Sequence, residues 1–235
     1  MSWMDMIPSG LAEKYELYNI NHAIEVLATA YPEHWHQITS ALEQFSIPEE
    51  HILAGGGNES PIPKALNAIL RPAGWEEARI SGDLLVKLHR RRSPELTEIS
   101  EHAIKNFIDS HNIDYVKGKV AVDMEWNSKD QTFDRDLLAM RTYYDCDIIS
   151  AGIIITRAED LNDVFRTVYD YDSRSGAYRP ILRKYGASTT WMGKLIPRLE
   201  SRRNGGCPIL AIGMKKKCVV DWDEEYIDEN STANE

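Results

Sequence analysis

Apolar residues recur at helical spacing over residues 12–45 of the chain. The apolar stripe that includes Ile24 and Leu27 stops at Pro32 and resumes at Trp35. Spacings of three and four are typical of one buried helix face, and an internal proline ends or kinks a helix. The pattern therefore predicts two helices that meet at the proline.

The following stretch predicts two more helices, with extended segments between them. One helix is predicted over Pro63 to Leu70, and an amphipathic helix over Thr97 to Ser110. Trp75 to Ile80 and Leu84 to Leu88 are short and mixed, which favours an edge strand and a further strand. The predicted buried stripe of the amphipathic helix comprises Ile99, Ala103, Ile104, Phe107 and Ile108.

Continuous apolar runs mark the second half of the chain. Ile148 to Thr156 and Pro208 to Met214 are typical of strands buried on both faces of a sheet. A helix is predicted from Asp134, and another is predicted after Ser188, with Pro197 as its kink or end. Alternating helices and strands predict an α/β domain built in layers.

The region from Ile113 to Asp136 carries three carboxylates on a predicted strand pair. Lys117-Gly118 is a turn signal between two runs that favour strands, so we expect the chain to fold back there. Side chains alternate along a strand, which places Asp123 and Glu125 on one face. Folding back brings Asp114 towards the same place. The sequence therefore predicts that three acids converge.

Three converging acids are costly unless a cation neutralises them. Hard oxygen ligands favour Mg²⁺, and the region contains no histidine or cysteine. A metal held there offsets charge on a phosphodiester and lowers the pKa of an attacking water, so the pattern predicts a metal-dependent nuclease. The alternative is a structural role, in which Asp114 sits in a turn and Glu125 faces solvent.

Composition narrows the class of protein. The 235 residues have a formal net charge of -10, which argues against a protein that coats nucleic acid non-specifically. No run approaches the roughly 18 apolar residues of a membrane span, and the N-terminal MSWMDMIPSG lacks the regions of a signal peptide. Three cysteines without metal-ligand spacing suit a reducing compartment. We expect a cytoplasmic protein that does not contact membranes.

Basic residues cluster at His89 to Arg92, Arg198 to Arg203 and Lys215 to Lys217. These clusters either line one cleft or form separate solvated patches, and their positions in sequence leave both open. Residues 55–58, GGGN, match no phosphate-binding motif. A connecting loop is therefore the favoured interpretation of that glycine run.

Several motifs resemble the PD-(D/E)xK nuclease superfamily, and within it the type II restriction endonucleases of the BglII/BstYI-like group. Asp114 and, after eight residues, Asp123-Met124-Glu125 resemble the D…(D/E)-x-(E/Q) variant of that group. The resemblance is strong over residues 114–213 and weak before them. Further similar runs are EWNSKD at 125–130, GIIITR at 152–157, TTWMGKLIPRL at 189–199 and GGCPILAIG at 205–213.

The resemblance implies an α/β fold, a PD-(D/E)xK restriction-endonuclease-like core with a mixed central sheet flanked by helices. It also implies a Mg²⁺-dependent homodimer that binds a short palindromic site in double-stranded DNA. Such an enzyme cuts each strand once and leaves 5′-phosphate and 3′-hydroxyl ends. The likeness to this group suggests a GATC-centred hexamer as the target.

The resemblance also implies roles by position in the motif. Asp114 and Asp123 ligate the metal, helped by the backbone carbonyl of Met124. Glu125 stands where most of the superfamily has lysine, and its implied role is to position or activate the water. This departure from the superfamily consensus is shared by the BglII-like group.

The roles of the residues outside the motif are less narrowly defined. A further polar group from an upstream element is expected at such sites, and Glu77 is the candidate, with adjacent Glu76 as the alternative. Asn127 and Lys129 follow the catalytic strand closely enough to reach DNA, where lysine suits guanine and asparagine suits adenine.

Two arginines and one predicted helix start have two possible roles each. Arg135 and Arg157 either contact DNA or pair with the acids Asp134 and Asp136. A helix start favours phosphate through its free N–H groups, and hydroxyls there also serve as caps. The residues expected to bind phosphate or to cap are Ser188, Thr189, Thr190 and Lys194.

The predicted organisation is a single endonuclease domain over residues 1–220. It has an N-terminal helical part over 1–110 and a catalytic core over 111–214, and residues 221–235 form an acidic tail that we expect to be disordered. Two alternative functions stay open. One is a repair or structure-specific nuclease of the same superfamily, and the other is a non-catalytic DNA-binding protein whose acid cluster is structural.

Overall fold

The computed structural model describes residues 2–54, 60–92, 94–109 and 111–222. The glycine run at 55–58 and residues 223–235 of the predicted tail lie outside the described residues. The strands are β1 (Tyr15–Ile20), β2 (Glu76–Ala78), β3 (Ser81–Arg92), β4 (Glu95–Asp109), β5 (Ile113–Lys117), β6 (Val120–Met124), β7 (Ala151–Arg157), β8 (Tyr169–Asp172), β9 (Ala177–Pro180) and β10 (Ile209–Met214). The helices are α1 (Leu11–Lys14), α2 (Ala23–Ala30), α3 (Pro32–Gln44), α4 (Glu49–Leu53), α5 (Pro61–Leu70), α6 (Thr132–Asp145), α7 (Leu161–Thr167) and α8 (Met192–Glu200).

A six-stranded mixed sheet forms the centre of the molecule, in the order β1-β10-β7-β6-β5-β2. Strands β10, β7 and β6 run parallel to one another, while β1, β5 and β2 each pair antiparallel with a neighbour. Every residue of β7 and β10 is buried, which confirms the prediction from their continuous apolar runs. Helices cover both faces, so the predicted α/β fold with a mixed central sheet is confirmed.

The core has two parts, one on each face of the sheet. Val122 and Met124 point into the part covered by α2, α3, α5 and α7, together with Trp126 just after β6. Ala121 points into the other part, which α6 and α8 cover. Strand β6 is therefore held rigidly from both sides. Among the described residues, no helix has the length and apolar character needed to cross a bilayer.

The helix predicted over Thr97 to Ser110 is wrong, because the described residues there form β4. Strands β3 and β4 pair along a two-stranded antiparallel sheet that we call the β3–β4 arm, residues 81–92 and 94–109. Lys87 on β3 lies 3.0 Å from Glu101 on β4. The cross-strand partner, which residues 97–110 alone do not show, overrides the local helical pattern.

The N-terminal part is less helical than predicted. Helices α2 and α3 are present, and α3 begins at Pro32, a position that suits proline because the first N–H of a helix has no partner. Strand β1 lies between α1 and α2 and pairs with β10, so this part of the chain contributes an edge to the central sheet. The edge strand β2 and strand β3 were predicted, although β3 is longer than expected.

Candidate active site

The β5–β6 hairpin positions the predicted acids. Tyr115 lies opposite Val122, so Asp114 and Asp123 are the next positions along the two strands. Gly118 makes the turn with φ 53°, a left-handed value that favours glycine. The Met124 backbone N–H donates to Oδ2 of Asp114 at 3.1 Å. The predicted fold-back is confirmed.

The acids face a cavity of about 890 Å³. Other residues of the predicted site lie elsewhere: Lys129, Ser188, Thr189, Thr190 and Lys194 are not on its wall. The basic clusters near 89–92, 198–203 and 215–217 also contribute no described residue to the wall. The predicted site residues that line the cavity are Glu77, Asp114, Asp123, Met124, Glu125, Asn127 and Arg135.

Burial raises the free energy of the ionised acids in this cluster while no cation is present. Asp123 is 4% exposed and Glu125 is 8% exposed, so the alternative in which Glu125 faces solvent is wrong. Burial raises the pKa of Asp123 above its ordinary value, and the negative charges of Asp136 and Asp114 raise it further. Burial also raises the pKa of Glu125, against hydrogen bonds from Ser128 and Asp136.

Asp136 is a fourth acid of the cluster, which the sequence analysis treated only as an arginine partner. Its side chain is fully buried, and burial together with the charge of Glu125 raises its pKa to about 8. The available signal was its place on helix α6, where it shares an inward stripe with Phe133, Leu137 and Met140. An acid on such a stripe indicates a buried polar contact.

Arg135 lies close to two acids, which fits one of its two predicted roles, pairing with Asp136. Its Nη2 lies 3.7 Å from Oε1 of Glu125, and its Nε lies 3.4 Å from Oδ1 of Asp136. Arg135 is itself exposed on the cavity wall, so part of the guanidinium still faces the cavity. Asp134 instead pairs with Arg198 and Arg203.

His111 and Glu77 occupy the side of the cavity nearest to the arm. Glu77 is exposed and accepts a hydrogen bond from Asn112, while adjacent Glu76 does not line the cavity. Burial and the nearby charge of Arg135 lower the pKa of His111 below its ordinary value. His111 precedes the predicted region by only two residues, but a single histidine carried no recognisable spacing.

The loop after β6 is tied to the loop before α8. The Thr190 N–H donates to the Ser128 carbonyl, and the Asp130 N–H donates to the Ser188 carbonyl, each at 3.0 Å. Lys129 is exposed and forms a bridge with Thr189. These contacts fix the position of Lys129 beside the cavity.

The predicted capping role of Ser188 to Thr190 is wrong. Helix α8 begins at Met192, and no side chain caps its first turn. Thr190 is buried, and its hydroxyl donates to the Glu125 carbonyl at 3.3 Å, so it ties the loop before α8 to the end of β6. Ser188 is exposed and Lys194 is half-buried.

Arg157 is buried and pairs with neither Asp134 nor Asp136, contrary to one of its predicted roles. Its Nε donates to the carbonyls of Trp126 at 3.0 Å and Thr190 at 3.1 Å. Burial lowers its pKa to about 10. Arg157 therefore holds the two loops together and does not reach DNA.

The wall opposite the acids comes from α4 and α5, which lie far from the motif in sequence. Its polar residues include His51, Ser60, Asn67 and Arg71. Nδ1 of His51 and Oγ of Ser60 are buried and find no hydrogen-bond partner within the described part of the chain, and the same holds for Oδ1 of Asn127. No sequence signal connected these residues with the acids, since only the fold brings them together.

The residues present fit a hard divalent cation. Within the described residues, no three acid, histidine or cysteine side chains already form a complete metal cage. Mg²⁺ retains several waters and takes few protein ligands, so Asp114, Asp123 and the Met124 carbonyl suffice chemically. The mutual repulsion that raises the pKa of Asp123 is the repulsion that such a cation relieves.

Comparison with models of known protein families identifies a family that this chain matches. The model of the family described as Restriction endonuclease BglII/BglIII matches residues 15–214. A search of curated proteins finds no match to the chain. The matched residues run from the first residue of β1 to the last residue of β10, and they include every acid that lines the cavity.

Proposed function

We propose that this chain, which belongs to the BglII/BglIII restriction endonuclease family, is a type II enzyme that hydrolyses double-stranded DNA at a short palindromic site with Mg²⁺. A restriction endonuclease is a nuclease, and it acts on double-stranded DNA. The observation that carries the finer proposal is the cluster of buried acids on the β5–β6 hairpin. A divalent cation would offset the repulsion within such a cluster, and metal-assisted hydrolysis uses one.

The acids of the site have different proposed roles. Asp114, Asp123 and the Met124 carbonyl would hold Mg²⁺, which supplies charge neutralisation and an acidified water when bound. Glu125 orients that water, because its carboxylate lies on the cavity wall beside the metal ligands. Glu77 reaches the same cavity from β2 and is proposed as the further acid of the site.

DNA enters along the cavity in this proposal. Asn127 on the cavity wall and exposed Lys129 beside it contact bases or phosphates, and Arg135 contacts a phosphate with the part of its guanidinium that faces the cavity. Ser188 and Lys194 are proposed as outer phosphate contacts. The proposed target is a GATC-centred hexamer, with 5′-phosphate ends after cleavage.

The test is incubation of the purified protein with plasmid DNA and Mg²⁺. We expect discrete fragments that disappear when EDTA removes the metal, because Asp114 and Asp123 then repel each other and no acidified water forms. A smear of products would indicate a non-specific or structure-specific nuclease. Absence of cleavage by a protein that still binds duplex DNA would indicate the non-catalytic alternative and contradict the proposal.

The β3–β4 arm supports the proposed homodimer. In the strand register, Leu84 lies opposite Ile104, and Val86 and Leu88 follow on the same face. Val86 is 46% exposed and Leu88 is 56% exposed. No described side chain of the arm is buried, so no other described part of the chain fully covers this apolar face.

A second copy of this chain suits that face better than DNA does. An isolated two-stranded sheet is marginally stable in water, so the arm benefits from a partner. Residues 81–109 contain five acids and five lysines or arginines, which gives no net attraction for phosphate. At 3.3 Å per residue the arm extends about 40 Å, far enough to reach over another subunit.

The arm predicts which substitution breaks the dimer. Val86→Asp places a charge on the apolar face, and we expect dissociation at micromolar protein with loss of double-strand cutting, measured by analytical ultracentrifugation and plasmid linearisation. Leu85→Asp is the matched control, because Leu85 lies on the opposite face, across from Ala103. A Val86→Asp protein that stays as dimeric as wild type would contradict the assignment of this face.

The single domain over residues 1–220 and the cytoplasmic location are part of the same proposal. The central sheet supports one domain, since β1 near the N-terminus and β10 near residue 214 are neighbours in it. The two predicted parts therefore share one sheet.

A further inference from the structure

The lysine and arginine side chains on the described wall of the cavity differ in what they contact. Nζ of Lys184 lies 2.6 Å from Oδ2 of Asp170, and Nη2 of Arg135 lies 3.7 Å from Oε1 of Glu125. Arg71, on the wall opposite the acids, forms no ion pair with a carboxylate of the described residues. Its positive charge is therefore available to a ligand that enters the cavity.

Two contacts fix the guanidinium of Arg71 in place. Its Nη1 donates to the Trp75 carbonyl at 3.3 Å, and its Cζ lies 4.8 Å from the centre of the Tyr115 ring. The Tyr115 hydroxyl donates in turn to Oδ1 of Asn67 at 2.7 Å, so the ring itself is held. Because Tyr115 follows Asp114 directly on β5, these contacts set the position of the guanidinium relative to the acids.

The remaining donors of Arg71 have no partner in the described part of the chain. Nε and Nη2 make no hydrogen bond with a described residue, and the side chain is half-buried on the cavity wall. A guanidinium carries five N–H donors in a planar fork, which matches two oxygen atoms of a phosphate. The arrangement around Arg71 therefore suits an anion with several acceptor oxygens.

A DNA strand in the cavity meets an excess of acidic side chains. Glu77, Asp114, Asp123 and Glu125 all line it, and its volume of about 890 Å³ suits a short segment of one strand. Their charge is offset by the proposed Mg²⁺ at the phosphate that is cleaved, whereas a neighbouring phosphate still faces carboxylates. A fixed guanidinium on the opposite wall offsets that repulsion.

We propose that Arg71 binds a phosphate of the strand being cleaved, adjacent to the phosphate that is hydrolysed, through the N–H groups on Nε and Nη2. The proposal rests on the proposed nuclease function, which makes DNA the ligand of the cavity. The contact is independent of base sequence, because every nucleotide carries the same phosphate. Arg71 contributes to affinity and to placement of the strand, and it takes no part in the chemical step.

Three variants separate phosphate binding from a purely structural role of Arg71 against Tyr115. Arg71→Met keeps an apolar stem and removes the charge. Arg71→Gln also removes the charge but retains N–H donors, while Arg71→Lys keeps the charge and loses the planar fork. Arg166→Met is the matched control, because Arg166 is exposed and does not line this cavity.

The binding test uses the full protein and a plasmid fragment that wild-type protein cleaves, with EDTA present so that the DNA stays intact. We expect Arg71→Met and Arg71→Gln to raise the dissociation constant by about tenfold. The slope of log affinity against log salt concentration should also become shallower by about 0.9, the value for one phosphate contact. Arg71→Lys and Arg166→Met should keep the wild-type slope. A merely structural role would leave the slope unchanged in all four variants.

Cleavage kinetics at saturating Mg²⁺ provide the second measurement. Arg71→Met should raise KM for the same fragment by about tenfold, since the lost contact weakens binding. We expect kcat to stay within about threefold of wild type, because a contact made equally before and during the reaction does not change the chemical step.

Two results would overturn the proposal. One is an unchanged salt slope in Arg71→Met and Arg71→Gln when guanidinium unfolding shows both to be folded. The other is a fall in kcat without a rise in KM, which would place Arg71 at the phosphate that is hydrolysed. If Arg71→Met does not fold, Arg71→Gln decides the matter by the same measurements. Absence of cleavage by wild-type protein would contradict the proposed nuclease function, and the salt slope on any plasmid fragment would still test Arg71.

Discussion

Asp123→Asn should abolish DNA cleavage while leaving the protein folded and able to bind duplex DNA. Asp123 is 4% exposed at the end of β6, and asparagine has the same shape without the charge that we propose holds Mg²⁺. Loss of metal-assisted chemistry is expected to lower the cleavage rate by at least about 10³-fold, or roughly 4 kcal/mol. Plasmid cleavage and electrophoretic mobility of a duplex measure the two properties separately.

The stability of the same variant provides an independent check. Without metal, Asp123 is repelled by Asp136 and Asp114, so asparagine relieves that repulsion. We expect a melting temperature in EDTA equal to or above that of wild type. Asp147→Asn, at a surface acid beside Lys119, should cleave like wild type. Cleavage by Asp123→Asn at a normal rate would show that the metal ligands are misassigned.

Arg157→Met should destabilise the protein more than other single changes near the site. Arg157 is 2% exposed, and its guanidinium donates to the carbonyls of Trp126 and Thr190 and to Oγ1 of Thr189. Methionine cannot donate to these buried oxygen atoms, and each acceptor left without a donor lowers the free energy of unfolding by about 1–3 kcal/mol. Removal of the buried positive charge offsets part of that loss. We expect a loss of roughly 3 kcal/mol in guanidinium unfolding.

The contacts of Arg157 also predict a loss of DNA cleavage in this variant. The loops that it joins carry Asn127 and Lys129, so cleavage should fall even at temperatures where the variant is folded. Arg166→Met is the matched control, since Arg166 is exposed and pairs with Asp163 at the surface. That control should change stability by less than about 0.5 kcal/mol. An equally small effect for Arg157→Met would show that the loops are held together without it.

The sequence by itself determined the central strands and the hairpin that carries the acids. Ile148 to Thr156 is rich in apolar and β-branched residues, a pattern typical of a strand covered on both faces, so β7 was predicted from local sequence. The turn at Gly118 and the alternation of Asp123 and Glu125 are also local properties. Local periodicity and turn chemistry fixed these elements because the relevant interactions span only a few residues.

Local patterns failed where a distant partner decides the outcome. The apolar spacing over residues 97–110 fits a helix, yet pairing with β3 makes it a strand. Thr190 was predicted either to hold phosphate or to cap a helix, but the close approach of the loop before α8 to β6 turns its hydroxyl to Glu125. Neither contact is encoded in the spacing of the residues themselves.

The tertiary structure alone completed the site. It placed α4 and α5, with His51, Ser60 and Arg71, across the cavity from the acids, although they precede the motif by more than forty residues. It also brought Asp136 near Glu125, with Arg135 close to both, by packing α6 on the sheet. Sequence spacing identified the acids because they share one hairpin. Long-range packing determined which other residues surround these acids, since those contacts depend on how the helices cover the sheet.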